Sequence, residues 1–416
     1  MELTLRIEKF IHGGQALART EDGKKVFVWG ALPGELVEVR VYKKRRSYVE
    51  AITTRVIEPS DMRVPPQDMH YISTAPWQIC NLAFENSIKA QLLQELFAHE
   101  QLELPEFSIQ TDGVMQGYRN KMEYSFYGDD DGLHLALFVR GSHHKQITRG
   151  STLAVPTINT AAQELCENIM KAGVRAGDLK SLIVRASQDG TVAASLFVKK
   201  ESFAPLPLSG LNGLRIYYST PKSPASVRTK LLHEIGTVEL SDTLLQKKLH
   251  YDVDSFFQVN IPMYQQVLHE ITRHVLPGSV LDLYSGVGSI GLTVTDSQEL
   301  TLVELDEASV RMAQINAREL SPNAKVVHAS SEMVLETLID KTTVILDPPR
   351  AGLHQKLSEA LLEAEPQCII YMSCNPVTQL RDVKILSQKY ITTHFYGYNF
   401  FPGTQHIETL AVLQKK

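Results

Sequence analysis

The sequence predicts a multidomain protein with a small N-terminal β-barrel, a central α+β domain and a C-terminal α/β domain of Rossmann-like type. At 416 residues, the chain is too long for one ordinary hydrophobic core. Residues 1–59 contain short alternating strand segments separated by glycine turns. From about Phe256 onward, apolar strand segments alternate with helical segments, which is typical of a doubly wound parallel sheet.

The N-terminal segment reads as a series of short strands. Alternation is clearest in Glu35-Leu36-Val37-Glu38-Val39-Arg40-Val41, and the dipeptides Gly13-Gly14 and Pro33-Gly34 supply turns. The predicted strands include residues 3–7, 26–28, 36–42 and 48–57. Five short strands in under sixty residues would suit a small barrel of the oligonucleotide-binding type.

A basic run lies inside this segment. Residues 1–60 carry 11 Lys and Arg against 8 Asp and Glu, a net charge of +3, whereas the whole chain is −5. The run itself is Lys43, Lys44, Arg45 and Arg46. Such a run is either a solvated loop or a surface that contacts phosphates, and the sequence leaves both interpretations open.

Composition limits the class of protein. With 43% apolar and 21% charged residues, the chain is typical of a globular protein, and no apolar stretch approaches the length of a membrane span. The four cysteines lack metal-ligand spacing and are too few for a disulfide scaffold, so reduced thiols are expected. We therefore expect a cytoplasmic protein with no membrane partner.

A glycine loop follows a predicted strand at residues 280–284. Gly286-Val287-Gly288-Ser289-Ile290-Gly291 matches the G-x-G-x-x-G pattern, and Glu304 follows 18 residues after Gly286. A carboxylate there can accept hydrogen bonds from ribose hydroxyls, which suits NAD and S-adenosylmethionine alike. Asp282 favours S-adenosylmethionine, because a carboxylate before the loop suits the cationic methionine end and would repel a pyrophosphate.

Two later strands end on reactive side chains. Cys374 comes just after the predicted strand at residues 368–372 and before Asn375-Pro376, and Asp347 follows the predicted strand at residues 343–346. Open α/β sheets bind ligands at the carboxyl ends of their strands, so a thiol and a carboxylate would face one cleft. A thiolate beside a methyl donor suits methylation of a pyrimidine, because addition to C6 makes C5 nucleophilic.

These segments together resemble the RNA uracil-C5 methyltransferases, the group that includes the tRNA and large-subunit rRNA 5-methyluridine enzymes. The matching segments are Tyr118-Arg119-Asn120-Lys121-Met122-Glu123, Ser255-Phe256-Phe257-Gln258-Val259-Asn260, Asp282 to Gly288, Asp347-Pro348-Pro349-Arg350, Ser373-Cys374-Asn375-Pro376, and Phe401-Pro402 through His406-Ile407-Glu408. The N-terminal strands resemble the TRAM domain that many members carry. The resemblance implies S-adenosylmethionine as the cofactor and rRNA or tRNA as the partner of a monomer.

The resemblance also implies roles for individual residues. Cys374 would be the nucleophile and Glu408 the proton acceptor. The residues implied to bind the cofactor or to lie against the target base are Gln258, Tyr284, Gly286, Gly288, Glu304 and Asp347. The residues expected to bind RNA are Arg119, Lys121 and Phe256 in the matching segments and, from the charge of the basic run, Lys43, Lys44, Arg45 and Arg46.

The domains implied are a TRAM barrel at residues 1–59, a central RNA-binding domain at 60–84 and 117–249, and a methyltransferase domain at 85–116 and 250–416. A helix predicted over residues 85–103 would pack on the catalytic domain although it precedes the central one.

The sequence departs from many relatives in two places. Where they hold an iron–sulfur cluster, this chain has Thr74-Ala75-Pro76-Trp77, with Cys80 and Cys166 the nearest cysteines. Two thiolates cannot complete a cluster, so we expect no iron–sulfur cluster and no metal, with Trp77 filling the space. Ser289 stands where some relatives have Asn, which puts one cofactor contact in doubt.

Three other functions compete with this interpretation. RNA cytosine-C5 methyltransferases carry a second cysteine after the motif's prolines, where this chain has Arg350. A dehydrogenase would use the glycine loop but leave Cys374 and Glu408 unexplained. A non-catalytic RNA-binding protein on the same scaffold would not need these two residues. Turnover in a methylation assay would exclude this alternative.

Overall fold

The computed structural model describes residues 2–103, 105–208, 210–223, 226–296 and 299–416. Its first unit is a closed five-stranded barrel in the spatial order β1-β2-β3-β5-β4. The strands are β1 (Glu2–Phe10), β2 (Ala16–Arg19), β3 (Lys25–Trp29), β4 (Leu36–Lys44) and β5 (Tyr48–Glu58). Val37 and Val39 point into the barrel while Glu38 and Arg40 do not, so the alternation in the sequence decides which face of β4 is buried. The strand missing from the predicted list is the four-residue β2.

The barrel is followed by helices α1 (Tyr71–Thr74) and α2 (Leu82–Glu100) and the short strand β6 (Ile109–Gln110). Helix α2 begins earlier than predicted because Asn81 caps it, accepting a hydrogen bond from the Phe84 backbone N–H at 2.8 Å. It ends at Glu100 because Gln101 adopts a left-handed conformation with φ 57°.

The central part of the chain forms a seven-stranded sheet in the order β13-β12-β11-β10-β7-β8-β9, with helix α3 packed on it. Its elements are β7 (Lys121–Asp129), β8 (Gly132–Phe138), β9 (Lys145–Ile147), α3 (Pro156–Lys171), β10 (Leu179–Ala186), β11 (Val192–Val198), β12 (Gly213–Tyr218) and β13 (Lys230–Gly236). A hairpin of β14 (Glu239–Leu244) and β15 (Lys247–Asp252) then leads into helix α4 (Ile261–His274).

The C-terminal part is built on an eight-stranded sheet in the order β18-β17-β16-β19-β20-β22-β21-β6. Its remaining elements are β16 (Ser279–Leu283), α5 (Gly291–Val294), β17 (Glu299–Glu304), α6 (Glu307–Leu320), β18 (Lys325–His328), β19 (Thr343–Leu346), α7 (Gln355–Ala364), β20 (Cys368–Ser373), α8 (Pro376–Leu386), β21 (Tyr390–Tyr398) and β22 (Glu408–Lys415). Strands β16 to β20 are parallel, whereas β22 runs antiparallel to both β20 and β21.

The predicted fold class is confirmed: a small closed barrel, a central α+β region and a Rossmann-like sheet follow one another along the chain. Helix α2 packs on α8, and β6 pairs with β21 at the edge of the C-terminal sheet. Helix α2 also contributes Ile88 and Leu92 to the core of the barrel, and the assignment of residues 85–116 to the C-terminal domain stays a prediction. Among the described residues, no helix combines the length and the hydropathy that crossing a membrane requires.

Candidate active site

Five chemically active side chains lie along the carboxyl edge of the C-terminal sheet. Glu304 is the last residue of β17, and Tyr284, Asp347 and Cys374 each directly follow a parallel strand. The antiparallel register pairs Ser373 with Thr409, so Glu408, the first residue of β22, lies opposite Cys374. The predicted nucleophile and proton acceptor are therefore neighbours across two paired strands.

The glycine loop connects β16 to α5 on the same edge. Gly286 and Gly288 have φ values of 57° and 82°, and a Cβ on Gly288 would lie 2.6 Å from the Leu292 side chain. Tyr284 also has a positive φ, 62°, which is unusual for a bulky residue. Backbone strain of this kind clusters at functional sites.

Glu304 holds the glycine loop to the end of β17. One carboxylate oxygen accepts a hydrogen bond from the Gly286 backbone N–H at 2.8 Å. The other accepts from the backbone N–H groups of Leu305 and Asp306, each at 2.7 Å. The carboxylate is thereby fixed beside the loop, where the sequence predicts contacts with the cofactor ribose.

Asp282 is fully buried under the same loop. Its Oδ2 accepts a hydrogen bond from the Gly291 N–H at 2.8 Å, while Oδ1 is buried without a hydrogen-bond partner. Burial raises the pKa of Asp282 to about 8, and nearby Asp347 and Glu304 add to the shift. A buried carboxylate of this kind is stabilised by a cation, which would restore its charged form.

Asp347 and Glu408 share this electrostatic environment. Burial raises the pKa of Asp347 to about 7. It raises the pKa of Glu408, which is 4% exposed, well above its usual value, with Asp347 contributing and Arg350 opposing. Three carboxyl groups with raised pKa values at one sheet edge form a site that a positive ligand would complement.

Cys374 differs from the other cysteines in its surroundings. It lines a cleft of about 270 Å³, whereas Cys80, Cys166 and Cys368 are buried. Burial raises the pKa of Cys374 to about 11, with Glu408 and Asp347 adding to the rise, while Arg350 lowers it. The cleft is lined by His12, Gly13, Arg350, Cys374, Asn375, Pro376, Gln405, His406 and Ile407.

Arg350 lies beside the thiol on a fixed backbone. Its carbonyl oxygen accepts hydrogen bonds from the Asn375 side-chain amide at 2.8 Å and from the Thr378 hydroxyl at 3.2 Å. Its Nη2 lies 3.2 Å from Nδ1 of His406. Burial lowers the pKa of His406 to about 4, so its neutral ring can accept a hydrogen bond from the guanidinium.

The predicted segments at Arg119 and Phe256 meet where the central sheet joins the C-terminal one. The Asn120 backbone N–H donates to the Val259 carbonyl at 2.9 Å, and the Asn120 side chain donates to the Gln258 carbonyl at 3.0 Å. Gln258 is buried, whereas Phe256 is 63% exposed. The Phe256 carbonyl lies 3.9 Å from where a Cβ on Gly286 would be, so this segment borders the glycine loop.

The two predicted basic residues near this junction are partly buried. The Arg119 guanidinium lies 5.9 Å from the centre of the Phe401 ring, and its Nε is buried without a partner. Burial, with a contribution from neighbouring Arg185, lowers the pKa of Lys121 to about 8. Arg119 therefore lies against the loop before Glu408, and contacts of either residue with RNA stay a prediction.

The basic run of the barrel occupies the end of β4 and the turn before β5. Lys43 forms an ion pair with Glu50 at 2.7 Å. Lys44, Arg45 and Arg46 are exposed. Three of the four predicted cations are therefore available to a ligand.

Several residues of the site were not predicted from the sequence as cleft residues. His12 and Gly13 come from the barrel, and Gln405 and His406 come from the loop before β22. Glycines beside a histidine indicate only a turn, and contacts across almost 400 positions leave no local signal. Ser289, whose role was in doubt, lies 2.8 Å from the buried Tyr264 hydroxyl.

The region around Trp77 is densely packed. Trp77 is 1% exposed, packs against Phe10 with ring centres 4.7 Å apart, and donates from Nε1 to the Gly14 carbonyl at 2.9 Å. Cys80 belongs to the core of the barrel and Cys166 to that of the central sheet. Within the described part of the chain, no three His, Cys, Asp or Glu side chains are grouped as metal ligands. The absence of an iron–sulfur cluster stays a prediction.

Comparison with protein families gives two matches. Residues 225–416 match the model of the tRNA (uracil-5-)-methyltransferase family. Residues 1–53 match the TRAM domain. The first match contains the glycine loop, Cys374 and Glu408, and the second contains the first four strands of the barrel and most of β5.

Similar proteins cover almost the whole chain. An uncharacterized RNA methyltransferase of Enterococcus faecalis is 27% identical over 99% of this chain and 97% of its own length. A 23S rRNA (uracil(1939)-C(5))-methyltransferase of a Marinomonas species is 29% identical over 99% of this chain and 95% of its own. The crystal structure of the Pyrococcus abyssi tRNA (uracil-54, C5)-methyltransferase with S-adenosyl-L-homocysteine has the same fold, with a TM-score of 0.81, 23% identity and coverage of 99% and 100%.

Proposed function

We propose that this chain, whose residues 225–416 match the tRNA (uracil-5-)-methyltransferase family and whose residues 1–53 match the TRAM domain, methylates C5 of a specific uridine in rRNA or tRNA through a covalent cysteine adduct. The methyl donor is S-adenosylmethionine. The observation that carries the proposal is the arrangement of side chains at the carboxyl ends of the parallel strands. Cys374 follows β20, two strands from the β16 strand that leads into the glycine loop, and Glu408 lies opposite it at the start of the next strand, β22.

The residues present fit the methyl donor. The buried Oδ1 of Asp282 has no hydrogen-bond partner, and a cation would stabilise the ionised forms of Asp282 and Asp347, whose pKa values are raised by burial. When bound, S-adenosylmethionine supplies an electrophilic methyl group on a sulfonium. Glu304 would bind the ribose hydroxyls, and Asp282 would face the methionine end. The other side chains and loop atoms proposed to hold the donor are Gln258, Tyr284, Gly286, Gly288 and Asp347.

The thiol of Cys374 would attack C6 of the uracil ring. Cys374 gives its thiol proton to solvent in the cleft, the thiolate forms the new S–C6 bond, and the electron pair of the C5–C6 double bond moves towards O4, so that C5 becomes nucleophilic. Arg350 and the N-terminus of α8, which begins two residues after Cys374, both favour the thiolate. These groups oppose the effect of burial on the pKa of the thiol.

Glu408 would complete the reaction as the general base. After C5 carries the methyl group, Glu408 accepts the C5 proton, the C5–C6 double bond re-forms and the Cys374 sulfur leaves. A carboxylate with a raised pKa is a stronger base than an ordinary one, and burial gives Glu408 this property. It must be ionised at that moment, which the positive charge of Arg350 favours.

The RNA would approach from the barrel side of the cleft. Lys44, Arg45 and Arg46 are proposed to contact phosphates, and Arg119, Lys121 and Phe256 to contact the substrate near the glycine loop. We further propose that the protein is a monomer, because one chain supplies every residue of the site. We also propose that it is cytoplasmic.

The proposal is tested by incubating the protein with labelled S-adenosylmethionine and cellular tRNA or rRNA fragments, followed by nucleoside analysis. We expect label in 5-methyluridine. Label only in 5-methylcytidine, or none with any RNA, would contradict the function.

Two variants test the mechanism. Cys374→Ala should bind the methyl donor but neither methylate RNA nor form an adduct. Glu408→Gln should accumulate a protein–RNA adduct that survives denaturing electrophoresis, because elimination stalls without the base. Cys166→Ala removes a thiol from the central core and should remain active. The opposite pattern for the first two variants would reverse the two roles.

A further inference from the structure

The loop between β1 and β2 of the barrel reaches the cleft of the C-terminal domain. His12 and Gly13 line the same cleft as Cys374, Arg350 and His406. The loop is tight, since the Ile11 N–H donates to the Gln15 carbonyl at 2.9 Å and the Gly14 N–H donates to the Ile11 carbonyl at 3.0 Å. His12, near the N-terminus of the chain, is therefore held at the cleft that contains Cys374.

Close packing fixes this loop against the segment that leads to Glu408. A Cβ on Gly14, which has φ +92°, would lie 2.3 Å from Cβ of Gln405, so only glycine permits the approach. Trp77 joins the two sides, because its indole N–H donates to the Gly14 carbonyl and its backbone N–H donates to the Gly403 carbonyl, both at 2.9 Å. The barrel loop and the C-terminal loop thus form one packed unit.

The chemistry of His12 separates it from the basic run. Burial lowers the pKa of His12, so its ring is neutral at physiological pH and offers one N–H donor, one acceptor and an aromatic face. A neutral ring makes no ion pair with phosphate. It is suited to the base or ribose of an unstacked nucleotide, the form in which RNA bases are read and modified.

We propose that His12 contacts the target uridine in the Cys374 cleft, so that the barrel forms part of the catalytic pocket. This inference rests on the proposed function. It differs from RNA attachment by the barrel surface, because it assigns His12 to the reacting nucleotide and not to the phosphate backbone. Removal of the His12 ring would leave RNA binding nearly intact but would misplace C6 relative to the thiol.

The test compares wild-type protein with His12→Ala at saturating RNA. The two readouts are the single-turnover methylation rate and the rate of adduct formation with RNA that carries 5-fluorouridine, whose C5 fluorine blocks the elimination step. We expect both rates to fall by about 10-fold, while RNA affinity and its dependence on salt stay close to wild type. His99→Ala is the control, since His99 is exposed near the far end of α2.

Two further substitutions identify the kind of interaction. Recovery of the rate by His12→Gln would indicate hydrogen bonding, and recovery by His12→Phe would indicate stacking. Wild-type rates in His12→Ala, or a loss of affinity and salt dependence with unchanged rates, would overturn the inference. If the wild-type protein methylates no RNA, the proposed function itself fails, so the two failures are distinguishable.

Discussion

At the scale of single residues, the site is dominated by groups whose charge is suppressed. Burial raises the pKa values of Asp282, Asp347, Glu408 and Cys374. Sequence reasoning found Asp282, Asp347 and Cys374 because each lies inside or next to a recognisable strand, and it found Glu408 only through the family resemblance. It could not find their raised pKa values, which depend first on burial in the folded protein and then on the nearness of the other carboxyl groups.

The reactivity of Cys374 towards iodoacetamide should report its surroundings. With a pKa of about 11, its alkylation rate should rise about tenfold per pH unit across neutral and mildly alkaline pH, because only the thiolate reacts. Arg350→Gln should slow the reaction at each pH, because the thiolate loses a nearby cation. The rate is measured by mass spectrometry of the native protein.

The control for this measurement is Cys374→Ser. It should remain unmodified while folded, because Cys80, Cys166 and Cys368 are buried and have pKa values raised to about 12, 11 and 12. A rate that levels off near neutral pH in the wild type would show a stabilised thiolate and contradict the prediction.

The affinity for S-adenosylmethionine should depend on pH. Below their raised pKa values, Asp282 and Asp347 are mostly protonated, and a bound cation favours their ionised forms. Binding therefore releases protons, and affinity should rise by up to about tenfold per pH unit for each proton released, from about pH 5.5 to 7.5. Titration calorimetry across this range measures the slope.

Asp282→Asn should flatten that pH dependence as well as weaken binding. S-adenosylhomocysteine, which lacks the sulfonium charge, should show a shallower slope with the wild-type protein. Equal affinity for S-adenosylmethionine at all these pH values would mean that these carboxyl groups do not face the cation.

At the scale of elements, helix α2 positions the loop between β21 and β22, which leads to Glu408 and is called the catalytic loop below. Glu85 and Lys89 form a fully buried ion pair at 2.8 Å. Lys89 also donates to the Asn399 side chain at 2.6 Å, and Glu85 accepts from the Gly403 N–H at 2.8 Å. The sequence predicted the helix and its packing on the catalytic domain, but two charges inside its buried face contradict simple amphipathic patterning. Only the distant loop that contains Asn399 and Gly403 explains them.

Removing one partner of this pair should destabilise the protein. Lys89→Met leaves the Glu85 carboxylate buried without its cation and should lower the free energy of unfolding by roughly 3–5 kcal/mol. The double variant Glu85→Gln, Lys89→Met should regain part of this stability, because no uncompensated charge remains. Denaturant unfolding of both variants checks the prediction.

The same helix supplies a matched control. Lys9 and Glu95 form an ion pair at 2.9 Å between β1 and the exposed side of α2. Lys9→Met should cost less than about 1 kcal/mol, since exposed ion pairs contribute little. Similar destabilisation by Lys9→Met and Lys89→Met would show that burial does not set the strength of the inner pair.

At the scale of the whole molecule, the barrel is joined to the C-terminal domain and not merely tethered to it. Trp77 bonds to Gly14 of the barrel and to Gly403 before Glu408. The sequence predicted both domains separately, because alternation and the glycine loop are local signals. It could not predict their shared cleft, which arises from contacts between opposite ends of the chain. Deleting residues 1–59 would therefore disturb the catalytic loop as well as RNA binding.

Charge substitutions test RNA binding by the barrel without this disturbance. Replacing Lys44, Arg45 and Arg46 with Gln keeps the Lys43–Glu50 pair and removes three exposed charges. If these side chains bind phosphates, RNA affinity should fall and the slope of log affinity against log salt should flatten by about 0.7 to 0.9 for each phosphate that is no longer neutralised. The single-turnover rate at saturating RNA should change little, because these side chains do not line the cleft.

The matched control replaces Lys325, Lys389 and Lys415 with Gln, since these lysines lie at the opposite edge of the C-terminal sheet. An equal change of slope in both triple variants would reflect net charge alone, and no change in the first would mean that the basic run is a solvated loop.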